Sequence, residues 1–227
     1  LLRRLLVCGA ALAALMAAGC GAGSKASQPT GQPTVSLWSA ATTPDYRQVN
    51  AGAKLALAER GGTAGVFRVN YAAREVSPDQ PRMTADALVA ARMTLQDTQS
   101  SAMLADADAT AVRASITLLN EAGIPTIALG DAGLKARACS PKDDLYPNGH
   151  ATAIVMDPAT SVPPAFAARF RKTYGFTPSA PAYRSYEGAR AVLTALSAPG
   201  VATGDSPARL DRAALAAELV RSHSDCA

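Results

Sequence analysis

The nucleophilic and metal-ligating potential of this chain rests on four cysteines and two histidines, and their spacing leaves little room for catalysis. Cys20 has the most telling setting. Arg3 and Arg4 precede fourteen consecutive apolar or glycine residues, Leu5 to Ala18, and Ala17-Ala18-Gly19 then leads into the cysteine. A cationic head, a short apolar core and a small-residue exit form the pattern of a secretory signal peptide. Spanning a bilayer would take roughly 20 apolar residues. Residues 1–19 therefore read as a leader, with Cys20 at the exit and Cys8 leaving with the leader. Cys139 and Cys226 remain as a pair, and an even residual count in an oxidising compartment predicts a disulfide; two free thiols are the alternative. His150 and His223 lack spaced His or Cys partners, so no metal site is expected. Ser222-His223-Ser224-Asp225 holds the residue types of a triad, but four consecutive residues cannot take triad geometry. There is no G-x-S-x-G elbow and no phosphate-binding Gly-Lys-Ser/Thr loop. The expectation is a non-enzyme with no cofactor.

Composition narrows the class further. The chain of 227 residues is 48% hydrophobic and 18% charged, a globular balance. Its net charge of +4 falls to +2 when Arg3 and Arg4 leave, and no basic cluster appears, which argues against nucleic acid as a partner. After the leader, residues 20–33 are rich in Gly, Ser, Pro and Gln and read as a flexible tether. Residues 34–227 then carry the structured unit.

The elements of that unit alternate. Val35–Ser39, Val66–Tyr71, Ser101–Leu104, Thr126–Leu129 and Ala151–Met156 read as strands. Tyr46–Arg60, Thr84–Gln96, Thr110–Ala122, Val162–Tyr174, Ser185–Ser197 and Asp211–Arg221 read as helices, from apolar spacing such as Val112, Ile116 and Leu119 or Phe166, Phe170 and Tyr174. Gly61-Gly62 and Gly123 are stop signals. Strand–helix alternation predicts an α/β fold, a single doubly wound parallel sheet of about five strands. In such a sheet ligands sit beyond the carboxyl ends of the strands, where strand order reverses. Those ends fall at Ser39–Pro44, Tyr71–Glu75, Ala105–Thr110 and Gly130–Gly133.

Two resemblances add to this reading. Ala17-Ala18-Gly19-Cys20 resembles the bacterial lipobox, in which the Cys thiol receives fatty acyl chains and the leader is cut before it; Ala17 stands where Leu is usual. An ordinary secretory signal is the alternative. Beyond the tether, GAKLALAERGG (Gly52–Gly62), AMLADADATAVRASITLLNEAGIPTIALGDA (Ala102–Ala132) and FAARFRKTYGFTPSAPAYRSYEGARAVLTAL (Phe166–Leu196) resemble, in order, segments of type I periplasmic binding proteins. These are the branched-chain amino acid binders of ABC importers. The resemblance implies an extracytoplasmic solute-binding protein, lipid-anchored to the bacterial cell membrane through acylated Cys20. It would hold an amino acid or similar small polar ligand and work with an ABC permease. Such proteins have two lobes, whereas here the return segment follows only about twenty irregular residues after the first-lobe pattern, so one lobe is expected. A single lobe implies weak binding of a small solute. The other functional reading is a reduced, non-transporting surface lipoprotein with a protein-contact or sensory role, or a remnant of a longer binding protein.

The resemblance also nominates residues. Ala105, Asp106, Asp108 and Thr110 lie in the loop where the family holds a ligand carboxylate, Thr110 being the best match. Asp106 and Asp108 depart from that pattern, since two carboxylates suit an ammonium; the plainer reading has Asp108 capping a helix and Asp106 solvated. Gly130 and Asp131 occupy the second ligand loop. Trp38, Ser39 and Thr42 flank the first, with the Trp38 indole stacking on a ligand, packing in the core or lying at a lobe interface. For the Tyr186-Glu187 pair, helix packing with a bonded hydroxyl is expected.

Overall fold

The computed structural model describes residues 31–129, 153–155, 161–204 and 208–223. Their centre is a sheet in the order β2-β3-β1-β4-β5-β6. Strands β1 (Thr34–Thr42), β3 (Phe67–Val76), β4 (Ser100–Asp106), β5 (Thr126–Ala128) and β6 (Ala153–Val155) run parallel. The two-residue β2 (Thr63–Ala64) pairs antiparallel with the start of β3. This is the expected five-strand parallel sheet with a short extra edge, and it is the architecture of one lobe of a type I periplasmic binding protein. A separate hairpin, β7 (Ala202–Thr203) with β8 (Arg209–Leu210), precedes the last helix.

Burial explains the strand order. Every residue of β4 is buried, and β1 is half-buried only at Thr34, Trp38 and Thr42. Strands covered on both faces belong in the middle of a parallel sheet. β3 exposes Arg68 and Asn70 in alternation, as suits a strand flanked on one side only by β2.

Helices cover both faces. On one, α1 (Thr43–Glu59), α4 (Pro164–Tyr174), α5 (Ala180–Leu196) and α6 (Arg212–His223) enclose a core that includes Leu37, Leu104, Ile127, Phe166, Phe170, Leu193 and Leu219. On the other, α2 (Arg82–Gln96) and α3 (Ala109–Glu121) pack Ala87, Ala91, Ile116 and Leu119 against Met103 and Ala105. Two glycines permit this closeness. A Cβ on Gly52 of α1 would stand 2.0 Å from the Ala182 carbonyl oxygen of α5, and one on Gly188 would press on Ile127, Leu104 and Leu129 at 3.2–3.3 Å. α1 and α5 therefore touch backbone to backbone, and α5 lies directly on the sheet.

The boundaries correct the sequence reading in two places that affect the site. β1 continues through Ala40 and Ala41 to Thr42, so Trp38 lies in mid-strand rather than at its end. Helix α5 begins at Ala180, with Pro181 in its first turn, five residues before the expected start at Ser185. Among the described residues no helix is long and apolar enough to cross a membrane.

Candidate functional site

The chain leaves β1 through α1 to reach β3 on one side, and leaves β3 through α2 to reach β4 on the other. Strand order therefore reverses between β1 and β4, and in doubly wound sheets ligands sit beyond the carboxyl ends at such a reversal. Thr42 and the first turn of α1 follow β1 at that edge, and Asp106 to Thr110 end β4 and start α3 beside it.

Asp106 is the last residue of β4, opposite Ala41 of β1. Strand alternation puts it on the face of Ala102 and Leu104, the face covered by α1 and α5. It is only 9% exposed, which corrects the expectation of a solvated side chain. No hydrogen bond from a described residue reaches its carboxylate; its charged neighbours are Asp45, in the first turn of α1, and Arg184, on α5. Burial, with the like charge of Asp45 and against the attraction of Arg184, pushes the Asp106 carboxyl up to about 6.

Asp108 is the N-cap of α3. Its Oδ1 accepts the Ala111 backbone N–H at 2.8 Å and its Oδ2 the Gln80 side-chain amide at 2.7 Å. The amide of Ala111, then that of Gln80, hold its carboxyl below the usual range. Thr110, exposed in the first turn, contributes its own backbone N–H to the same carboxylate. The start of α3 thus supplies donors, but they already serve a carboxylate of the chain itself.

The remaining candidates divide. Ser39 is 1% exposed and its hydroxyl lies 2.6 Å from that of Tyr71; Tyr71 donates to Asn50 Oδ1 at 2.7 Å, and Ser39 stands 3.3 Å from the same oxygen. Burial raises the Tyr71 hydroxyl well above its ordinary range, partly offset by the Ser39 bond. Ser39 therefore serves an internal network joining β1, β3 and α1. Trp38 packs beside the α2–α3 core, and its indole N–H donates to Asp97 Oδ2 at 3.0 Å. Asp97 follows α2 and precedes β4, so the indole is committed at the amino-terminal end of the sheet, away from the carboxyl edge. Ala105 is buried against that same core. Thr42, half-buried, caps α1 without a side-chain bond at the carboxyl end of β1. Gly130, Asp131, Cys20, Cys139 and Cys226 lie outside the described residues.

Asp45 and Arg184, the charged neighbours of Asp106 among the described residues, were not singled out from sequence. The signal for Asp45 was present, an acid just after Thr-Pro in a helix's first turn; Arg184 follows Tyr183 with nothing local to mark it. Tyr186 meets the expectation of packing: it is 3% exposed, its hydroxyl donates to Glu59 Oε2, and Arg169 donates to that hydroxyl at 3.2 Å and pairs with Glu59 at 3.1 Å.

A concavity of about 600 Å³ opens at the opposite edge among Thr34, Phe67, Gln99, Arg209, Leu210 and Arg212. Its polar chemistry is largely committed internally: Arg212 donates to the Ser100 and Thr98 carbonyls, and Asp211 caps α6 on the Ala214 N–H. The carboxyl edge, where strand order reverses and no hydrogen bond from a described residue reaches Asp106, is the better candidate for a ligand.

No protein-family model and no curated protein matches this chain. Solved structures do. A branched-chain amino acid ABC transporter protein from Rhodospirillum rubrum superposes with a TM-score of 0.56 at 12% identity, over 83% of this chain and 88% of that one. The branched-chain amino acid transporter substrate-binding protein LivJ from Streptococcus pneumoniae, solved with isoleucine, does so with a TM-score of 0.56 at 13% identity, again over 83% and 88%. At such identities the likeness establishes the fold, that of the type I periplasmic binding proteins.

Proposed function

We propose that this chain is the solute-binding component of an ABC importer, taking an amino acid or similar small polar solute at the carboxyl edge of its sheet. The observation that carries this reading is the fold, shared over most of the chain with two ABC-transporter proteins, one of them solved with an amino acid. Binding is non-covalent and needs no catalytic residue or cofactor, and a permease is the natural protein partner. Thr42, Asp106, Asp108, Thr110 and the Gly130-Asp131 loop border the proposed site. Residues 1–19 act as the export leader, Cys20 carries the acyl chains that hold the protein to the outer face of the cell membrane, 20–33 form the tether and 34–227 the binding lobe. Cys139 pairs with Cys226.

The test is a thermal-shift screen of the purified chain against amino acids, sugars, short peptides and aromatic acids. A ligand at 100 times its Kd adds about 2.7 kcal/mol to native-state stability, a rise of roughly 5–10 °C for a domain of this size. Silence across the whole panel contradicts the proposal and favours a lipoprotein that binds other proteins.

A further inference from the structure

We infer that the free edge of β3 pairs with the same edge of a second copy of this chain, antiparallel about a two-fold axis at Ala73, so that the two sheets join into one. This concerns the side of the sheet rather than its carboxyl end, and it does not depend on the solute-binding reading.

The first observation is a strand edge left open. β1 pairs with β3 from Arg68 to Val76, whereas β2 on the other side reaches only Phe67 and Arg68, with the Gly62 carbonyl before it accepting the Val69 N–H. The Arg68 N–H donates to the Pro33 carbonyl on the β1 side, and that of Val69 points the opposite way. Backbone groups alternate sides along a strand. The pairing with β1 runs on without a register shift, so Tyr71, Ala73 and Glu75 all turn their N–H and C=O groups away from β1. No backbone group of a described residue bonds them there. Residues 70–76 hold no proline, glycine or bulge, the usual means of blunting such an edge.

The second observation is its symmetry. The open stretch runs from Asn70, just past the Gly62 contact, to Val76, where β3 ends, and Ala73 is its midpoint. Antiparallel pairing about Ala73 sets Tyr71 opposite Glu75 of the second copy and Ala73 opposite itself. These are hydrogen-bonded pairs that occupy every outward group. A slip of two residues either way leaves Tyr71 without a partner from the strand or meets Val69, already bonded to Gly62.

The third is charge. Charges on an edge ordinarily keep other strands off, but those of β3 complement themselves. Tyr71 and Glu75 share the α1 face of the sheet, beside Leu37 and Ala41 in register. Lys54 of α1 places its Nζ 5.9 Å from the Tyr71 ring centroid. Glu75 of the second copy, with its Cβ about 5.5 Å from that of Tyr71, comes within reach of this ammonium, and the two-fold axis repeats the pair. Lys54 and Glu75 are both exposed, and neither forms an ion pair with a described residue. On the opposite face the small Ala72 stands across from Arg74, leaving the two Arg74 side chains, diagonal neighbours, room to turn out to solvent. This self-complementarity selects a second copy as the occupant over an unrelated strand.

The experiment is sedimentation velocity of the full chain from about 1 μM to about 1 mM, the range of moderate to weak association. A monomer should give way to a dimer and to nothing larger, because a two-fold edge contact closes on itself. Amide hydrogen exchange at Tyr71, Ala73 and Glu75 should slow as concentration rises. Ala73→Pro removes an N–H that is unbonded in the single chain, and proline is tolerated on an edge strand, so its melting curve at low concentration should match the wild type while the dimer is lost. Glu75→Lys and Lys54→Glu, both at exposed positions and so decisive even where the proline variant folds poorly, should each weaken the dimer by at least about tenfold, since each acts twice across the axis. The two changes combined should restore it. A chain that stays monomeric throughout overturns the inference. So does association that the single variants leave unchanged, that the combined exchange fails to restore, or that runs on to larger species.

Discussion

Replacing Asp106 with Asn should make the protein more stable at neutral pH, although Asp106 borders the proposed binding site. The sign follows from the direction of its titration. An aspartate with an unfolded value of 3.8 and a folded value of about 6 holds its proton more tightly when folded. Between those two values the native state binds more protons than the unfolded state, so stability contributed by this group is complete below pH 4 and is lost as pH rises through 6. At about 1.4 kcal/mol per pK unit, a shift of this size corresponds to at most about 3 kcal/mol. Asn is nearly isosteric with the protonated carboxyl and never ionises. Asp106→Asn should therefore match the wild type near pH 3.5 and exceed it above pH 6 by up to about 3 kcal/mol, or roughly 5–10 °C in Tm. The assay is paired urea and thermal denaturation from pH 3.5 to 8, with the difference between the two proteins isolating this group from the other carboxyls. Parallel profiles, or a variant less stable above pH 6, would mean that the carboxylate is well paired in the fold, and the electrostatic account of Asp106 would be refuted.

Three further outcomes follow from particular residues. Gly52→Ala places a methyl group 2.0 Å from the Ala182 carbonyl oxygen, so α1 and α5 must separate; a loss of about 2–3 kcal/mol is expected in urea denaturation, and a neutral substitution would show that the two helices are not in backbone contact. Cys20→Ser should abolish incorporation of a fatty-acid probe in cells and release the protein from membranes; equal labelling of both forms would remove the anchor from the proposal. Unfolded, unreduced protein lacking its leader should show no free thiol from Cys139 or Cys226 on titration, whereas two reactive thiols would exclude the bridge.

Much of the architecture was readable because the periodic signals are long. The Phe166, Phe170 and Tyr174 stripe became α4, with the first two rings 5.4 Å apart in the core. Gly61 and Gly62 ended α1 at positive φ of 63° and 70°, where a side chain is strained. The cap at Asp108 was legible because Ser, Thr, Asp and Asn before a helical pattern act locally. What failed to show was set by tertiary context. Ala40 and Ala41 have little strand propensity, yet pairing with β3 and β4 carries β1 on to Thr42. Helix α5 begins five residues before the start its apolar spacing indicated, with Pro181 accommodated in its first turn. The paired strands β2, β7 and β8 are two residues each, too short for any periodicity. The burial of Asp106 was invisible because an acid at a strand end ordinarily reads as solvated; only the positions of α1 and α5 enclose it. The role of Trp38 stayed open for a related reason, since its partner Asp97 lies 59 residues away in sequence.

The central claim is that a small solute binds at the carboxyl edge between β1 and β4. The most direct measurement is a two-dimensional amide NMR titration of the isotope-labelled chain with the strongest solute from the screen. Shifts should concentrate at Thr42 to Tyr46, Asp106 to Ala111 and the start of α5 near Arg184. Shifts confined instead to Thr34, Gln99, Leu210 and Arg212, around the concavity at the opposite edge, would contradict the account.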